Sequence, residues 1–154
     1  MTTQFSDVYD LFLSTIDDFR VDTIYSTSGS MAMETYLTPF LMNSVNDFDV
    51  CDQDLTYTEA TDDIGGYFDT TLTMKNKLML SQIMTMYWLK RELLNAMQIK
   101  NLLNDRDFKR TSEGSNITSK RMLYNEIAEE VAQRLNNYGW RDNSWSSWRD
   151  QKFY

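Results

Sequence analysis

Apolar residues recur along most of this chain at three- and four-residue steps, the spacing of helices, and two stretches lack that rhythm. The first periodic segment predicts a helix from about Asp7 to Asp17. Val8, Leu11, Phe12 and Thr15 share its face, and Ile16 extends it. Ser6 suits the N-cap, and Asp7 and Asp10 place negative charge in the first turn, where the helix dipole favours it. Phe5, ahead of that cap, is placed to staple onto Tyr9 or a neighbour. Between Asp18 and Ser30 the pattern is ambiguous. Val21, Ile24 and Tyr25 hint at a short extended piece, and Ser26-Thr27-Ser28-Gly29-Ser30 reads as a loop. A second helix is expected from about Met31 to Phe48, with Met33, Tyr36, Leu37, Phe40, Leu41 and Val45 on one face. Pro39, the only proline, falls inside it. It kinks the helix, or sits in the first turn of a helix that starts later.

From Asn46 to Thr70 the chain is acidic and aperiodic, and reads as a long connection with one short strand or helical turn around Leu55 to Tyr57. The strongest helical pattern follows, from about Leu72 to Leu103. Leu78, Met79, Ile83, Met86, Tyr87, Leu89 (or Lys90), Leu93, Leu94 and Met97 recur at helical steps, and Leu80, Met84 and Trp88 widen the stripe. A helix apolar nearly all round is buried on several sides, so this one is expected at the centre. Phe108 to Ser115 reads as a loop. A fourth helix is predicted from about Ile117 to Tyr138, with Met122 or Leu123, then Tyr124, Ile127, Ala128, Val131, Leu135 and Tyr138 facing the core. Glu126, Glu130 and Arg134 fall on its wet side, and Gly139 offers a left-handed stop. The expected fold is therefore mainly α: a small bundle of about four helices with a long acidic connection and an extended aromatic C-terminal tail. Residues 1–139 form the helical domain and residues 140–154 the tail.

Composition narrows the chemistry. A chain of 154 residues buries about two-thirds of its unfolded surface as one domain. Histidine is absent, which removes Ser-His-Asp and Cys-His catalysis, histidine-ligated zinc and imidazole acid–base chemistry. The single cysteine, Cys51, excludes an internal disulfide and all-cysteine zinc sites, and its acidic neighbours Asp49 and Asp52 disfavour the reactive thiolate. In the acidic connection, no register starting at Asp47 or Asp52 places glycine sixth and glutamate twelfth, as a calcium loop requires. Gly65-Gly66 lacks the lysine and spacing of a phosphate loop. Adjacent acids such as Asp17-Asp18 and Asp62-Asp63 do not suggest the separated pair of a glycosidase. The expectation is a protein without catalytic residues, cofactor or metal. A formal net charge of −8 disfavours a grip on DNA, and Leu78 to Met97 is too polar to span a membrane.

The tail carries the most informative side chains. Trp140, Trp145, Trp148, Phe153 and Tyr154 are separated by Arg, Asp, Asn and Ser, a poor pattern for a core segment. Tryptophan, tyrosine and arginine dominate interface hot spots, so these five aromatics are the candidate protein-interface residues. The alternative is a tail folded back on its own helices, covering Trp88 or Tyr124.

Two stretches resemble the head–tail connector (neck, or adaptor) proteins of tailed bacteriophages. One is Phe5-Ser6-Asp7-Val8-Tyr9-Asp10-Leu11-Phe12-Leu13 with Ile16-Asp17-Asp18-Phe19. The other is Tyr87-Trp88-Leu89 in a long helix, then Asn101-Leu102-Leu103-Asn104-Asp105-Arg106-Asp107-Phe108-Lys109, then a helix with Leu123, Ile127, Val131 and Leu135. The resemblance covers roughly residues 5–19 and 80–138. It implies a virion structural protein of the neck, assembled in the host cytoplasm: a homo-oligomeric ring, commonly of twelve copies, below the portal protein. Such a ring extends the channel through which genomic DNA passes and offers a platform to a stopper or tail-terminator protein. The tail aromatics would anchor the subunit on the portal or on a neighbour. The competing expectation is a non-catalytic accessory protein that binds a phage or host partner through the same tail.

Overall fold

The computed structural model describes residues 2–16, 19–61, 65–103 and 110–142. Along these residues the elements are β1 (Thr3–Gln4), α1 (Phe5–Leu13), α2 (Phe19–Asp47), β2 (Tyr57–Thr58), β3 (Tyr67–Phe68), α3 (Met74–Leu103) and α4 (Arg110–Asp142). The fold is mainly helical, four helices with a small three-stranded sheet among the described residues. As the apolar pattern requires, α3 is the hub: α1, α2 and α4 all pack on it.

The first helix starts two residues earlier than expected. Ser6 lies inside α1 rather than capping it, because Phe5 follows β1 directly and its N–H donates to the carbonyl of Gly66 at 2.9 Å. The anticipated meeting of Phe5 and Tyr9 does occur, with ring centroids 6.3 Å apart. At the other end α1 stops at Leu13 rather than near Asp17. The hydroxyls of Ser14 and Thr15 both donate to the carbonyl of Leu11, at 2.7 and 3.1 Å, and end the helix there.

The second helix corrects the reading of residues 18–30. From Phe19 onward the chain is helical, and neither the extended piece at Val21 to Tyr25 nor the Ser26–Ser30 loop is present. Ser26 and Thr27 satisfy their hydroxyls on the carbonyl of Thr23, which lets them sit within a helix. The break in α2 is one residue, Gly29, at φ 81° and ψ −175°, a conformation that L side chains rarely adopt. Pro39 neither starts a helix nor marks the break. It is exposed, so the N–H it lacks falls on the solvent side of α2. The face expected of this helix is inward: Leu37, Phe40 and Leu41 are buried, and Met33, Tyr36 and Val45 pack beside them.

The acidic connection carries more structure than anticipated. β2 is a strand that overlaps the expected Leu55 to Tyr57 piece at Tyr57, and β3 forms the middle of an antiparallel sheet of order β1-β3-β2. Thr3 and Tyr57 both pair with Phe68, and Gln4 and Thr58 with Tyr67. The sheet buries Phe5 against Phe68 and Tyr57, with centroids 5.0 and 6.0 Å away. It also delivers the chain to α3. Leu72 N–H donates to Thr3 Oγ1 at 2.7 Å, and Thr73 caps α3 by accepting the Asn76 N–H at 3.3 Å.

Inside α3, Leu80, Ile83 and Met84 are fully buried. Ser81 and Thr85 are buried too, their hydroxyls donating to carbonyls one turn back. Arg91 lies over the rings of Tyr36 and Phe40, its guanidinium carbon 4.5 and 4.4 Å from their centroids. Arg20 bridges to Glu92 at 3.0 Å and ties the start of α2 to α3. The fourth helix is longer than expected at both ends. It includes residues 110–115, read from sequence as loop, and it runs through Gly139 to Asp142. Gly139 takes no left-handed turn, because Tyr138 and Gly139 are held against the connection, the latter beside Val50. On the core face Val131 and Tyr138 are buried and Tyr124, Ile127, Ala128 and Leu135 partly so, but Met122 and Leu123 face solvent.

Candidate interaction surface

Two parts of the α3–α4 pair could meet a ligand or partner. The first lies where the start of α3 meets the end of α4. A groove of about 480 Å³ there is lined by Lys75, Leu78, Met79 and Gln82 from one wall and Arg134, Asn137 and Tyr138 from the other. Leu78 gives it an apolar, 43% exposed side chain, although its helical spacing had marked it for the core. Lys75 and Arg134 supply positive charge. The ammonium of Lys75 sits 3.4 Å from the centroid of the Tyr138 ring, and Arg134 pairs with Glu130 one turn back at 2.5 Å. Just beyond the groove, in the last turn of α4, Trp140 is 71% exposed.

Beneath the groove a hydrogen-bond network fixes its wall. The hydroxyl of Tyr138 lies within donating distance of Asp52 Oδ1 and, at 2.7 Å, of Asn76 Oδ1. Fully buried Asn76 donates its amide to Asp52 Oδ1 at 2.9 Å and to Gln53 Oε1 at 2.7 Å. Gln53 in turn accepts the Thr73 N–H at 2.7 Å. Thus the connection after α2, the start of α3 and the end of α4 meet in one knot. Hydrogen bonds from Tyr138 and then Asn76 hold the Asp52 carboxyl below the usual carboxylate range. Burial, reinforced by Asp52, pushes the Tyr138 hydroxyl above its ordinary value. A phenol that holds its proton this firmly ties elements together and is no acid at neutral pH. Burial is also the first cause that raises the Cys51 thiol, with Asp52 adding to it, in the direction its acidic neighbours implied.

The second part is the opposite half of the pair. Leu94 and Met97, one turn apart on α3, and Met122 and Leu123 on α4 are large apolar side chains left in solvent, Met122 67% exposed. Of the five interface residues expected from sequence, Trp140 is on the surface; Trp145, Trp148, Phe153 and Tyr154 lie outside the described residues. Sequence reasoning missed the groove itself. Its walls are about sixty positions apart in the chain, and no local pattern brings them together.

Among the described residues, no three acidic or cysteine side chains converge as metal ligands, and no helix is long and apolar enough to cross a membrane. Compared with models of protein families, with curated proteins and with solved structures, the chain matches none.

Proposed function

We propose that this chain is a structural subunit of a bacteriophage neck: a head–tail connector that assembles as a ring below the portal, extends the DNA channel and carries the stopper or tail. The observation that carries this reading is the set of large apolar side chains that the helical body leaves in solvent. Leu94, Met97, Met122, Leu123 and Trp140 are exposed on the described body, and a second molecule packed there would bury them. A subunit built to stand among copies of itself accounts for them. The resemblance of residues 5–19 and 80–138 to connector proteins supplies the kind of assembly, with twelve copies as the expected ring. Trp140 and the tail aromatics Trp145, Trp148, Phe153 and Tyr154 are the proposed anchors, on the portal or on a neighbouring subunit. The net charge of −8 suits a channel that lets DNA pass without holding it.

Mass-resolved solution size tests this, measured on the purified chain alone and mixed with a portal ring. A discrete multi-subunit species, or co-migration with the portal, is the expected result. A stable monomer that ignores portal rings would instead favour a non-catalytic accessory protein whose aromatic tail binds another partner.

A further inference from the structure

We infer that copies of this chain join head to tail: the cationic and apolar face made by Lys90, Leu94 and Met97 of α3 with Arg121 of α4 seats on the acidic connection of the next copy, at Asp54, Glu59 and Asp69. This deepens the proposed ring and rests on it, naming the contact that would build it. Charge selects the occupant. Residues 1–73 carry fourteen acidic side chains and one basic, whereas residues 74–154 carry nine acidic and fourteen basic. A chain divided in this way attracts copies of itself, provided the two signs are displayed in different places.

The fold meets that condition. Lys90, Leu94 and Met97 follow one another along α3 at steps of four and three, so they form one exposed stripe. Arg121 is exposed on α4, one turn from Tyr124, which lies close to Tyr87 on α3. Glu126 and Glu129 continue the outer side of α4 beyond Met122, so the cationic face runs along its α3 side. The acidic face gathers around β2, an edge strand of the sheet. Asp54 precedes β2 and Glu59 follows it, and the Asp69 N–H donates to the carbonyl of Thr56 at 2.9 Å. All three carboxylates are exposed, and Val50 adds an apolar side chain in solvent. Asp47 stays out of this face, because it accepts the Tyr87 hydroxyl beside Lys90. Among the described residues, no ion pair engages Lys90, Arg121, Asp54, Glu59 or Asp69. Nor can the two faces meet within one chain. The connection grips α3 at Asn76, eighteen residues and about 27 Å from Leu94, well beyond the reach of screened charge. Two different faces that fit each other make a heterologous contact, the kind that closes a ring.

Charge reversal on each face, alone and mixed, decides the matter. In sedimentation velocity the full chain should associate as its concentration rises, and about tenfold more weakly in roughly 500 than in roughly 50 mM NaCl. Lys90→Glu with Arg121→Glu sets acid against acid, and Glu59→Lys with Asp69→Lys sets base against base. Each double variant alone should associate at least about tenfold more weakly than the parent. All four side chains are exposed, so helix content by circular dichroism should stay unchanged. An equimolar mixture of the two variants should recover the parental association, because each face then meets its opposite. Variants that associate like the parent, a mixture no better than its components, or association indifferent to salt would each overturn this contact and leave a ring built through other surfaces standing. A parent chain that stays monomeric at every concentration would overturn it as well, while co-migration with a portal ring would still speak for the connector.

Discussion

One hydroxyl holds three segments together at the end of α4. Tyr138 has a single proton for two oxygens, one on Asp52 and one on Asn76, and its own oxygen also receives the Asp52 N–H at 3.3 Å. Tyr138→Phe keeps the ring against Phe48 but leaves the buried amide oxygen of Asn76 without its donor. We expect a loss of about 1–3 kcal/mol in urea unfolding, with helix content retained. A different tyrosine governs behaviour in alkali. Tyr9 is buried with its hydroxyl 3.1 Å from Thr38 Oγ1, and burial pushes its pKa up to about 12 from an ordinary 10.0. The unfolded chain releases this proton first. Stability is therefore complete below pH 10 and falls as pH rises from 10 through 12. Tyr87, raised to about 12 chiefly by its hydrogen bond to Asp47, adds to the same limb. Melting temperature measured from pH 8 to 12 should decline less steeply in Tyr9→Phe than in the parent chain.

At the scale of elements, the small sheet is what seats α1. A Cβ built on Gly66 would overlap the buried ring of Phe5, which also touches Phe68 and Tyr57. Gly66→Ala should therefore cost about 1–3 kcal/mol in thermal unfolding, whereas the same change at Gly65 meets only the movable carboxylate of Glu34, at 3.2 Å, and should cost far less. This sheet was the least legible element in the sequence. A two-residue strand has no alternation to read, and β1 and β3 are defined by pairing across more than sixty positions. The long helices were legible because each must bury a stripe: α3 was expected as the central helix, and Leu37, Phe40 and Leu41 of α2 were assigned inward. Errors arose where composition and local bonding disagree. Ser26 and Thr27 look like loop residues, yet their hydroxyls bond back to Thr23 and the helix continues.

For the whole molecule, assembly is the property to test. In the double variant Trp145→Ala with Trp148→Ala, association should weaken by at least about tenfold while helix content stays nearly intact, read by light scattering and circular dichroism. A large loss of helical signal would instead make the tail part of the subunit's own core. The tail aromatics drew notice because rings spaced by polar residues stand out in any composition, and of them only Trp140 falls among the described residues. The groove was not, because which faces of α3 and α4 meet depends on Phe48, Asp52 and Asn76 gripping Tyr138, a pairing that no local pattern encodes.

The central place of α3 has a consequence for how the chain comes into being. Its partners come from far along the chain: Thr3 waits for Leu72, sixty-nine positions on, Asp7 for Lys77, and Arg20 for Glu92. During synthesis α1 and α2 therefore leave the ribosome with Phe5, Val8, Phe12, Leu37 and Leu41 uncovered, since the helix that shelters them is not yet made. Contacts this remote in sequence also close slowly. Even after α3 emerges, Asp52 and Asn76 stay open until Tyr138 arrives, eighty-six positions after the aspartate it engages. Burial of α1 and α2 must therefore follow the synthesis of α3, and a chain halted before Met74 keeps those apolar side chains uncovered.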